Sequence, residues 1–306
     1  MGTAGMRPFV IAALVVCSVV AGSLVLGRTG PVDDEQAARA ADRALVAGLG
    51  RADGKAIRGM LDRHFTWIDG EGRMHGRRDT LRQVAALAAA DMGESDVRSH
   101  FYGRMLTVRS SHGNARFLRV FVRRHHGWKA IALMETQLAS PEAPGAPAGP
   151  MLSAAAAPAG GDCANPCRTV PYVPKTQMDK DILAAWQQAE TRKWKGDAAL
   201  WGTSIADEFQ SIDNAAVRGR EERLAAAGRA QDAGPGTPGD PVTSMRIFDF
   251  GTKCALMVSQ QTPYRGGKPY ANMRVWVNRD NRWQLALSQQ SAIQAAASAP
   301  AIAGTQ

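Results

Sequence analysis

Six positions of this chain recur at one fixed spacing. Asp53, Ile57, Leu61, Phe65, Ile68 and Asp69 are answered by Asp197, Trp201, Ile205, Phe209, Ile212 and Asp213, each at the same offset (213 − 69 = 144). Chance rarely keeps one offset across this many chemically similar residues, so the chain contains a duplicated domain. A second match closes each copy, where RVFVRRHHGW, Arg119 to Trp128, is answered by RVWVNRDNRW, Arg274 to Trp283. The constraint is severe, because whatever fold the first copy adopts the second must adopt as well.

Within each copy the apolar spacing changes along the chain. Ile57, Leu61 and Phe65 lie four apart, which predicts a short helix over Lys55 to His64 followed by the FTWID strand. Strict alternation in RVFV and RVWV predicts strands, with HHG and DNR as tight turns. Helices over Glu35 to Leu49 and near Arg78 to Asp91 precede strands around His100 to Arg109, Ala115 to Arg124 and Trp128 to Thr136. Helices first and strands after predict an α+β architecture. The two domains span residues 35–138 and 178–294. A stretch rich in Pro, Ala and Gly, 139–177, joins them as a linker, and 295–306 reads as a disordered tail.

The N-terminal segment, 1–34, places Arg7 before an uncharged run from Pro8 to Gly27, long enough at about 20 residues to cross a bilayer. It reads as a transmembrane anchor or a cleaved signal peptide. Either predicts an exported protein, held on the inner membrane facing the periplasm or secreted if cleaved. Export makes disulfides possible, and Cys163 and Cys167 in GDCANPCRT are candidates for a local bridge, with a pair of free thiols as the alternative. Two cysteines supply only half of a structural metal site, and no cofactor or metal motif is present. The net charge of +9 lies mostly in the first copy, and no basic stripe interleaved with aromatics speaks for nucleic acid.

The helix order, the F-x-x-I-D strand, the G-R-x-[DE] helix entry (Gly76 to Asp79; Gly219 to Glu222) and the R-V-[FW]-V strand together resemble the nuclear transport factor 2 fold. In particular they resemble SnoaL-like domains related to ketosteroid isomerase. The resemblance implies two cone-shaped curved antiparallel sheets, each wrapped around N-terminal helices and enclosing a pocket. Asp69 and Asp213 fall where the isomerases carry their general base. Leu45, Ala189, Leu118 and Met273 stand where those enzymes carry their oxyanion donors, so no ketosteroid isomerase activity is implied. Each aspartate also precedes a turn residue, Gly70 or Asn214, and can cap that turn.

From this comparison Trp67, Tyr102, Leu118, Val120, Ser211, Met273 and Val275 are expected to line the pockets, with His100 as a helper to Asp69. Phe121 and Trp276 then share the outer face, and the two copies are expected to pack through it as an intramolecular pseudo-dimer. The functional expectation is a membrane-tethered tandem module that binds a small apolar ligand or a protein partner without catalysis. The alternative is an isomerase, dehydratase or polyketide-cyclase-like enzyme with one aspartate base.

Overall fold

The structure is a computed structural model that describes residues 31–89, 95–139, 163–231, 239–263 and 267–294. The first domain runs α1 (Pro31–Gly50), α2 (Gly54–Arg58), β1 (Leu61–Ile68), β2 (Met74–Gly76), α3 (Arg77–Arg82), α4 (Val84–Ala89), β3 (Ser95–Phe101), β4 (Met105–His112), β5 (Ala115–Arg124) and β6 (Gly127–Gln137). The second runs α5 (Gln177–Trp194), α6 (Ala198–Gly202), β7 (Ile205–Ile212), β8 (Val217–Gly219), α7 (Arg220–Gln231), β9 (Val242–Asp249), β10 (Cys254–Gln261), β11 (Tyr270–Arg279) and β12 (Arg282–Ala292). Their sheets have matching strand orders, β2-β1-β6-β5-β4-β3 and β8-β7-β12-β11-β10-β9.

The sheets correct the cone-shaped antiparallel picture in two ways. Each is mixed, because β1 pairs parallel with β6 and β7 parallel with β12. Each is also open, ending in two unjoined edges rather than closing on itself. The helix expected over Lys55 to His64 is likewise shorter. It stops at Gly59, and Leu61 and Phe65 belong to β1. The repeated Asp53 and Asp197 explain where these short helices begin. Asp53 accepts a hydrogen bond from the Ala56 amide at 2.9 Å, and Asp197 one from the Leu200 amide at 2.8 Å. Each cap contributes about 1 kcal/mol.

The membrane expectation is corrected as well. Among the described residues no helix is long and apolar enough to cross a bilayer. The helix that opens the first domain, α1, carries Asp33, Asp34, Glu35, Arg39, Asp42 and Arg43 and is amphipathic. The run Pro8 to Gly27 lies outside the described residues, as does the tail from 295 onward. Tethering by an N-terminal helix, and the inner-membrane, periplasmic and signal assignments drawn from it, therefore have no structural support and are set aside.

Each sheet has two buried faces, one toward its own helices and one toward the other domain. Leu118, Val120 and Val122 of β5, with Ile131 and Met134 of β6, join Met273, Val275 and Val277 of β11, Leu256 of β10 and Leu287 of β12 in one apolar layer between the domains. Side chains of this size stabilise by roughly 1.5–3 kcal/mol each when fully buried. Polar contacts frame the layer. The Gln289 amide donates to the Thr136 hydroxyl at 3.1 Å, the Asn214 amide to the Gln137 carbonyl at 2.7 Å, and Arg246 to the Thr66 hydroxyl at 2.8 Å.

This arrangement inverts the expected faces. Leu118, Val120, Met273 and Val275 sit in the inter-domain layer and not in a pocket. Phe121 packs with α1 residues Leu45 and Leu49, and Trp276 packs with α5 residues Ile182 and Trp186. The family comparison had placed the valines inward; Arg119 and Arg274, which alternate with them, are instead buried on the helix side, held by the partners described below, and this turns the valines toward the other domain.

Part of the predicted linker is folded onto the second domain. Cys163 and Cys167 are disulfide-bonded. Within that loop the Asn165 side chain accepts from the Val242 amide at 2.9 Å and donates to the Val242 carbonyl at 3.0 Å, copying a strand partner at the start of β9. Cys254 is a buried free thiol whose pKa burial pushes up to about 12, so it is chemically quiet.

Candidate functional site

The duplicated arginines show where the two domains part company. Arg119 on β5 donates from Nε and Nη2 to the two carboxylate oxygens of Asp42 on α1, at 2.5 and 3.1 Å, and from Nη1 to Ser110 at 2.8 Å. Arg274 keeps the serine, donating from Nη1 to Ser259 at 2.9 Å. The position of Asp42, carried forward by the 144-residue offset, is Trp186, and the guanidinium carbon of Arg274 lies 5.1 Å from the centroid of its ring. Nη2 turns to Gln261 at 2.6 Å. Among the described residues no carboxylate forms an ion pair with Arg274.

The surrounding positions diverge in the same sense. By the same offset, Leu45, Leu49 and Trp67 become Ala189, Lys193 and Ser211. On the sheet, Arg119 opposes Leu133 where Arg274 opposes Ser288, and Phe117 opposes Glu135 where Asn272 opposes Gln290. Leu133 and Phe117 thus become Ser288 and Asn272. All five first-domain residues are buried in one apolar core. All five of their counterparts line a cavity of about 210 Å³ in the second domain. Small and polar side chains have replaced the groups that fill the first interior.

The cavity is amphipathic. Trp186, Trp201, Phe209 and Leu285 give it an apolar wall, and Arg274, Glu190, Tyr270 and Asn272 a polar one. Its acids have local donors. Glu190 accepts from Lys193 Nζ at 2.9 Å and from Trp186 Nε1 at 3.2 Å, and Asp240 accepts from the Tyr270 hydroxyl at 2.8 Å. Burial alone would raise the Glu190 pKa, but the charges of Lys193 and Arg274 and these hydrogen bonds hold it below its usual range. Burial pushes the Arg274 pKa down, with Glu190 opposing, and burial together with Asp240 pushes the Tyr270 pKa well up. Among the described residues the buried Ser211 hydroxyl has no hydrogen-bond partner.

The candidate aspartates are both embedded in turns. Asp69 accepts from the amides of Glu71 and Arg73 at 3.0 and 2.9 Å, and its second oxygen meets Arg73 Nε and His75 Nε2, both at 2.8 Å. Burial is outweighed by the bonds from His75 and Arg73, so the Asp69 pKa is lowered. Asp213 accepts from the amides of Ala215 and Ala216 at 2.8 and 2.9 Å and from Arg218 at 2.7 Å. Asp69, so occupied, is a weak proton acceptor. Asp213 nevertheless borders the cavity.

The other expected residues scatter. Trp67 is buried in the first core with its ring 4.6 Å from that of His75. His100 stacks on Tyr102 at 6.3 Å, and burial and Arg109 lower its pKa. The Tyr102 hydroxyl donates to Glu208 of the second domain at 3.2 Å, at the domain boundary. No contact brings His100 to Asp69 among the described residues. Of the predicted ligand-binding positions, only Ser211 lies on the cavity. Among the described residues no group of three or more His, Cys, Asp or Glu is placed to hold a metal.

No family model and no curated protein matches the chain. Solved structures do. An NTF2-like protein from Cytophaga hutchinsonii is 16% identical, with 39% of this chain and 100% of that chain covered and a TM-score of 0.33. An NTF-2-like protein of unknown function from Shewanella oneidensis is also 16% identical, covering 37% and 97%, TM-score 0.30. A cystatin-like fold protein from Burkholderia xenovorans is 18% identical, covering 38% and 92%, TM-score 0.34. By its helix and strand order, repeated across both halves, the chain carries the NTF2-like fold twice in tandem.

Proposed function

We propose that the protein is a tandem binding module in which the second domain holds a small amphipathic ligand and the first serves as its folded support. The observation that carries this reading is the set of five replacements, Leu45, Leu49, Trp67, Phe117 and Leu133 to Ala189, Lys193, Ser211, Asn272 and Ser288, every one of which opens or polarises the same cavity. A ligand there meets aromatic surface and several hydrogen-bonding groups. Concave, pre-formed cavities with a few convergent polar groups are where small molecules bind.

The test is a fragment screen by NMR on the full chain, reading the indole N–H of Trp186, repeated on Ala189→Leu, which restores the first-domain residue and fills the space. Binding in the wild type that is lost in Ala189→Leu supports the reading. Fragments that bind both proteins alike place the ligand elsewhere and remove it.

A further inference from the structure

The inference rests on the proposed binding role of the second domain and names its ligand class: the geometry points to a carboxylate attached to a small ring or branched apolar group, bound by Arg274. The first domain contains its own comparison. Arg119 and Arg274 sit at the same strand position and share the same serine partner, Ser110 or Ser259. On Arg119 the edge formed by Nε and Nη2 is taken by the Asp42 carboxylate from α1. In the second domain α5 offers no carboxylate at that position, because Trp186 stands there. The chain has kept the receptor for a carboxylate and removed the carboxylate it supplied.

Further observations agree. Arg274 is 5% exposed and lines the cavity, and a guanidinium that deep needs compensation by acceptors. Its described acceptors are two neutral side-chain oxygens, which satisfy two of its five N–H groups. The acids around the cavity are already engaged, Glu190 by Lys193, Asp240 by Tyr270 and Asp213 by Arg218. Glu190 lies close enough to favour the Arg274 charge through space but forms no ion pair with it. The apolar wall of Trp186, Trp201 and Phe209 suits the remainder of the ligand. At about 210 Å³ the cavity exceeds the roughly 150 Å³ that accepts a benzene ring in an engineered site.

The experiment compares benzoate and phenylacetate with benzamide and phenylacetamide on the full wild-type chain, by calorimetry and by the Trp186 indole signal. The expected result is carboxylate binding at least about tenfold tighter than the matching amide, since charge-assisted bidentate contacts are roughly twice as strong as neutral ones. Arg274→Gln should abolish that preference. Trp186→Asp, which rebuilds the first-domain ion pair, should compete away carboxylate binding while keeping Arg274 satisfied. Amides that bind as well as the acids overturn the carboxylate class and leave the cavity as a binding site. Failure of both acids and amides overturns the class, and the unbiased fragment screen then decides whether the cavity binds anything. Carboxylate binding that survives Arg274→Gln also overturns the inference, and because the acid and amide comparison uses the wild type, a misfolded variant does not protect it.

Discussion

Arg274 lies against the face of Trp186, 5.1 Å from the ring centroid, where its first-domain counterpart grips an aspartate. A stacked aromatic shields the guanidinium from water and offers a modest cation–π attraction, but it does not neutralise the charge. The first domain therefore pairs its buried arginine with an internal carboxylate, whereas Arg274 forms no ion pair among the described residues.

Asp42→Asn leaves Arg119 buried without its counter-charge. Removing one member of a buried pair should cost about 3 kcal/mol, measured by urea denaturation. Adding Arg119→Met should recover most of the loss, because the first-domain interior then holds no stranded charge. A single variant as stable as wild type would show that the ion pair does not hold α1 to the sheet.

Leu45→Ala and Ala189→Leu are opposite changes at one duplicated position. The first opens a hole in a filled core and should cost roughly 2–5 kcal/mol. The second adds apolar volume to an existing cavity and should be neutral or stabilising by up to about 1 kcal/mol. Thermal melts of the pair check this. Equal losses for both would mean that the second interior is as full as the first.

Met273→Lys places a charge inside the layer shared by Leu118, Val120 and Val275. The cost of a desolvated ammonium is several kcal/mol and falls on the contact between domains. Calorimetry should show the melting transition lowered and split in two. An unchanged single transition would argue against the shared layer.

Asp69 has its pKa lowered in the folded state, so its contribution is present above the unfolded value of about 3.9 and disappears as pH falls through the folded value. Asp69→Asn should therefore lower stability at pH 7 by about 2 kcal/mol, the scale of a charged hydrogen-bond network. The gap between wild type and variant should close as the pH is taken from about 5 toward 2. A gap that stays constant across that range would show that ionisation of Asp69 contributes nothing.

The duplication was legible because it depends only on residue identity at fixed distance. Secondary structure followed where periodicity was long, as in RVFV and RVWV. It failed at Lys55 to His64, since a four-residue spacing of apolar side chains also fits a short helix that ends at Gly59 and runs into β1. The sheet faces were inverted because they were assigned from the family comparison, while the partners that bury Arg119 and Arg274 on the helix side, Asp42 far along the chain and Gln261 on a neighbouring strand, are not adjacent in the sequence. Alternation fixes which residues share a face but not which face is inward. The cavity itself had a readable signal. Aligned copies differ at Leu45 and Ala189, Trp67 and Ser211, and Phe117 and Asn272, always from bulky to small or polar. Attention to what the copies share hid what they do not.

The apolar layer between the sheets has an outcome beyond holding the halves together. Two identical subunits meeting through such a surface would have to change both interiors with every substitution, because one gene encodes them. Covalent fusion removes that symmetry while keeping the contact. One half is then free to lose packing energy in its centre, because its neighbour, which has kept its own, stabilises it through the shared surface.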